Sequence, residues 1–126
     1  MMRQIALVAF GGAVGSVLRH LVGLGAARLF GPAFPAGTLA VNLAGSFAMG
    51  LLVEVLARRF GGSPDLRLLL ATGLLGGFTT FSSFTLDVAA LAERGELGLA
   101  FIYLAASILL GLGALFAGLA LARHLA

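Results

Sequence analysis

The chain has 126 residues, 60% of them hydrophobic and 10% charged, with a mean hydropathy of +1.11 and a formal charge of +3. So few charged side chains cannot coat a small water-soluble domain, and without cysteine neither disulfides nor thiolate metal sites can form. The basic charge comes from eight arginines and no lysine, which in so apolar a chain answers to lipid headgroups and membrane orientation, not to nucleic acid. A bilayer core about 30 Å thick takes about 20 helical residues per crossing, so the chain accommodates a single domain, 1–126, of four transmembrane helices.

The first span is expected at about 4–28. No cleavable signal peptide is expected, because the apolar run continues without a small-residue cleavage site. Gly11 and Gly15 stand four apart, a spacing that lets helix backbones approach closely. Arg19 and His20 fall late in this span, where an arginine is expected to snorkel toward the headgroups with the histidine at the same depth.

Pro32 and Pro35 in GPAFPAG close the first span and open the second, at about 37–57. Here Thr38, Asn42 and Ser46 recur every four residues and share one helix face. A lone amide at mid-membrane needs a partner, so Asn42 either binds another helix or lines a polar path. Ala40, Ala44 and Ala48 repeat the small-residue spacing, as do Gly73 and Gly77 further on, and fit either packing within the chain or a homo-oligomer.

Ser63 followed by Pro64 has the form of a helix cap with proline at the first helical position, which starts the third span, at about 66–92. Its centre reads GGFTTFSSFT, residues 76–85, with five hydroxyl residues among the seven from 79 to 85. Phe78, Phe81 and Phe84 are three apart and share a face, with packing the only role expected of Phe78. The pair Gly76 and Gly77, followed by β-branched threonines, predicts an unwound turn that interrupts the helix and frees carbonyls. Such carbonyls are tolerated in a membrane only when buried in protein, facing water or holding a cation. Asp87 follows, and must face a vestibule or find a partner.

After the turn ERGE, residues 93–96, the fourth span is expected at about 96–123. Tyr103 and Ser107 share a face, and the polar stripe then stops at Gly111. Arg3, Arg58, Arg59, Arg67 and Arg123 fall on the side of the N terminus against Arg28 and Arg94 opposite, which favours both termini in the cytoplasm. No nucleophile, base and orienting group stand together, so an enzyme is not expected.

GGAVGSVLRH (11–20), GTLAVNLAGSF (37–47) and GGFTTFSSFTLD (76–87), in this order over four spans, resemble the Fluc family of small bacterial fluoride channels along essentially the whole chain. The resemblance implies an antiparallel, dual-topology homodimer in the bacterial inner membrane, exporting fluoride passively through two pores along the dimer interface. It implies that Asn42, Phe81 and Phe84 line the pore, with Tyr103 and Ser107 on its polar track. Thr38, Ser82 and Ser83 join them as hydroxyl donors, and Arg19 and Asp87 belong to the vestibule. The carbonyls of Gly76 and Thr79, taken twice across the dimer, would hold a structural sodium ion. Asp87 departs from the glutamate usual in the family, and Gly111 from a frequent hydroxyl. A proton-coupled exporter of the small multidrug type is the alternative, but residues 1–53 contain no Asp or Glu to serve as its embedded carboxylate.

Overall fold

The computed structural model describes residues 1–125 and is all-helical. Helix α1 spans Met2–Phe30 and α2 spans Ala36–Arg59, joined by a short connection that contains both Pro32 and Pro35. The third membrane segment, Pro64–Glu93, is divided. Its first half, α3, covers residues 64–78: a turn at Pro64–Leu66, a nine-residue stretch of wide π-helix at Arg67–Leu75, and a closing turn at Gly76–Phe78. Its second half, α4, is Phe81–Glu93, and α5 is Leu97–Leu125. Four segments, α1, α2, the divided third and α5, are long and apolar enough to cross a membrane.

Local chemistry accounts for the boundaries. The Ser63 hydroxyl accepts the Leu66 N–H at 3.3 Å with Pro64 at the first helical position. Gly61, Gly62 and Gly95 adopt positive φ in the two tight turns, a conformation that a side chain would disfavour.

The bundle is built on two glycine crossings. α1 lies against α3, where added methyl groups at Gly11 and Gly15 would run into the backbone of Leu69 and Leu74, and one at Gly77 into that of Gly12. α2 lies along α5, where Gly50 and Gly118 face each other so closely that a methyl on either meets the other helix's carbonyls. The small-residue spacings of Gly11 with Gly15 and of Gly73 with Gly77 are therefore packing within the chain. Ala40 and Ala44 are exposed. The buried cluster of Phe84, Leu91, Ala100 and Tyr103 joins α4 to α5.

Charges gather at the two ends. Arg3 pairs with Asp65 at 2.8 Å, and Glu54 receives both Arg58 (3.2 Å) and Arg123 (3.0 Å), so among the described residues the end with the N terminus carries three ion pairs. At the opposite end, Arg94 donates to the Ala33 carbonyl at 2.9 Å, tying the α4–α5 turn to the α1–α2 connection.

Candidate functional site

The interruption of the third segment lies three residues beyond the glycine pair where it is expected. Gly76 and Gly77 remain helical, and Thr79 and Thr80 take extended backbone angles (φ −84°, ψ 159° and φ −152°, ψ 117°). The reason is contact: Gly77 is glycine because the backbone of α1 passes against it, and the break falls where a side chain from α2 captures the chain instead. That side chain is Asn42. Its Oδ1 accepts the Thr80 N–H at 2.8 Å and its Nδ2 donates to the Thr80 carbonyl at 3.0 Å. One amide thus pairs both backbone groups of Thr80 at the break.

Two carbonyls at the break lose their usual helical donors. Thr80 N–H would ordinarily serve the Gly76 carbonyl, but it is spent on Asn42; Ser83 N–H would serve Thr79, but it goes to the Thr80 hydroxyl at 3.1 Å. Gly76 is moreover exposed on the surface of the single chain. Two mid-membrane carbonyl oxygens without helical donors fit the donor set that a hard cation takes.

The crowd of hydroxyls sorts into separate tasks. Thr79 donates to its own helix at Leu75 (2.9 Å) and Thr85 to Ser82 (2.9 Å), so these two are satisfied locally. Thr80 caps α4 and lies 3.4 Å from the Ser82 hydroxyl, with Ser82 itself exposed. Thr80 was not singled out from the sequence, although threonine is among the residues favoured at a helix N-cap.

Around the break, the polar residues open onto three cavities. The largest, about 500 Å³, is bounded by Asn42, Ser46, Thr79, Thr80, Phe81, Ser107 and Gly111 with apolar neighbours, and no charged residue lines it. The Ser107 hydroxyl oxygen is buried there without a hydrogen-bond partner among the described residues. A second cavity of about 280 Å³ holds Thr38, Asp87 and Arg94, beneath the 31–37 connection. A third, about 240 Å³, contains Arg19, His20, Thr38, Thr80 and Ser83. The stripe of Thr38, Asn42 and Ser46 is therefore divided: Asn42 and Ser46 face one cavity and Thr38 the other two.

Arg19 does not snorkel. Its Nε donates to the Gly77 carbonyl at 3.0 Å, an inward contact with the turn just before the break, while His20 is exposed. The aromatic residues form a chain: Phe81 and Phe84 have ring centroids 5.8 Å apart, Phe84 and Tyr103 5.3 Å, and Phe34 meets Tyr103 edge-on at 5.5 Å and 84°. Along it, exposure changes sharply, from 77% at Phe81 to 8% at Phe84 and 0% at Tyr103. The Tyr103 hydroxyl donates to Asp87 Oδ2 at 3.0 Å, which gives Asp87 its partner. Phe34 carried no signal in the sequence, being one aromatic residue in a connection.

Comparison with known proteins follows the same ground. The family described as CrcB-like protein, Camphor Resistance (CrcB), matches residues 6–119. A protein of Agrobacterium fabrum named fluoride-specific ion channel FluC is 61% identical over 124 residues, covering 98% of this chain and 99% of that protein. Proteins of the same name from Allorhizobium ampelinum and Rhizobium etli are 60% and 59% identical, over 98% and 99% of this chain and 99% and 100% of theirs.

Proposed function

The chain belongs to the CrcB-like, camphor-resistance family, and from that membership we propose that it is a fluoride-selective channel: a multi-pass protein of the bacterial plasma membrane, not an enzyme, that lets cytoplasmic fluoride leave passively. Relatives named fluoride-specific ion channels support this reading over nearly their full length. The observation that carries it is the largest cavity, whose lining offers amide and hydroxyl donors and no carboxylate.

Fluoride is small and strongly hydrated, so a path for it must replace water with donors. Asn42 spends one Nδ2 hydrogen on Thr80 and keeps the other, and the Ser107 hydroxyl has no hydrogen-bond partner among the described residues, so both have hydrogens to give to an anion. The positive edge of a phenylalanine ring suits an anion, and Phe81 borders the same cavity. The neighbouring Phe84, Tyr103, Thr38, Ser82 and Ser83 would continue the path, with Arg19 and Asp87 at its mouth.

A second, antiparallel copy of the chain completes this reading. A cavity lined by Asn42, Ser46 and Ser107 cannot lie against hydrocarbon, and Phe81, three-quarters exposed, stands beside it where a second chain would cover both. Two pores per dimer follow from the symmetry of such a pair. A sodium ion at the dimer centre would be held by the carbonyls of Gly76 and Thr79, where it would supply a fixed positive charge.

The test is efflux from liposomes loaded with fluoride or chloride. Fluoride should leave and chloride should stay; no release, or equal release of both, would sink the reading. Phe81→Ile and Asn42→Asp should each slow fluoride release at least tenfold while the dimer persists, and unaltered flux in both would remove these residues from the path.

A further inference from the structure

We propose that Arg94 is the residue that gathers anions at a mouth of the path, an inference that rests on the channel reading above. Arg94 and Asp87 are seven residues apart, two helical turns, and both border the cavity of about 280 Å³ that also holds Thr38. Asp87 brings a negative charge to this mouth, which repels an approaching anion. The structure offsets it twice, by the Tyr103 hydroxyl that donates to Asp87 and by the Arg94 guanidinium on the same wall. Arg94 is not free to swing away: its Nη2 donates to the Ala33 carbonyl at 2.9 Å, which fixes the cation over the opening while its other donors remain available.

Thr38 also borders the adjoining cavity with Arg19 and His20, so the cations Arg94 and Arg19 stand at successive depths beside one threonine. An anion drawn in by Arg94 meets Thr38 next and Arg19 after it. Glu93 and Glu96 flank Arg94 along the chain but do not border the cavity. Arg94 therefore acts on the concentration of fluoride at the mouth, a long-range effect that salt screens, and not on selectivity inside.

The experiment measures initial fluoride efflux from phosphatidylcholine vesicles at sub-saturating fluoride, with potassium gluconate setting ionic strength from about 10 mM to about 1 M, over which the Debye length falls from about 30 to about 3 Å. At low salt R94Q should be slower than wild type by about threefold, the difference should vanish at high salt, and R94K, which keeps the charge, should stay near wild type. If R94Q matches wild type at every salt concentration, the inference is overturned. It is equally overturned if R94Q and R94K are slowed alike at all salt concentrations, because Arg94 then only braces the connection. Should R94Q not fold, R94M takes its place in the same comparison with R94K. Wild-type vesicles that release no fluoride would instead overturn the channel reading itself.

Discussion

The two halves of the third membrane segment are held by opposite means. α3 meets α1 backbone to backbone, through Gly11, Gly15, Gly73 and Gly77, with no room for a methyl group. α4 meets its neighbour α5 through side chains, Phe84 and Leu91 against Ala100 and Tyr103, and leaves Phe81 and Leu86 exposed. A backbone contact fixes position and offers no chemistry; a side-chain contact can present rings and hydroxyls to something else. The seam between the halves is where the chain gives up helical hydrogen bonds, and Asn42 from α2 holds it.

Substitutions can break this contrast, and their expected costs fall in a definite order. Gly15→Leu should be the most severe, since its side chain would overlap the Leu74 carbonyl and a backbone cannot yield as a side chain does. Overpacking costs about 1–3 kcal/mol even where side chains can shift. Monodisperse protein in detergent should therefore be lost, whereas Gly113→Ala, with open space around it, should behave as wild type in the same chromatography. A well-folded Gly15→Leu protein would show that α3 is not fixed in the way described.

Asn42→Leu should come next. It strips partners from both the N–H and the carbonyl of Thr80, at about 1–3 kcal/mol for each buried group left unpaired. Thermal unfolding in detergent should shift markedly downward, and fluoride efflux should be lost. An unchanged unfolding temperature would mean that the seam is held by something other than this amide.

Thr80→Val should be milder. The backbone pairing with Asn42 survives, but the cap on the Ser83 N–H is lost, at about 1 kcal/mol. Unfolding should shift by a few degrees in the same assay, and a shift as large as that of Asn42→Leu would transfer the controlling role from Asn42 to the cap.

Much of this architecture was legible before any coordinates. Apolar runs separated by Pro32 and Pro35, by Pro64 and by the ERGE turn at 93–96 locate the four spans because hydropathy and proline act locally, on the residues that carry them. A lone asparagine and a cluster of hydroxyls in hydrocarbon announce a polar site for the same reason: the cost of burial is a property of the group itself. Position in the chain also marked Asp87 as a residue in need of company, whereas for Arg19 it suggested only an anchor among the headgroups.

What only the tertiary structure decided is who supplies that company. Asn42 finds Thr80 38 residues away, Arg19 finds Gly77 58 away, and Arg94 finds Ala33 61 away, none of them within reach of local periodicity. Glycine can allow close approach or weaken a helix, and in the sequence Gly77 carries both meanings, four residues after Gly73 and beside Gly76 ahead of the threonines. The structure assigns Gly77 to packing and moves the break to Thr79 and Thr80. A helix yields where another element can satisfy its orphaned backbone groups, and that depends on what lies across the bundle more than on the residues that yield.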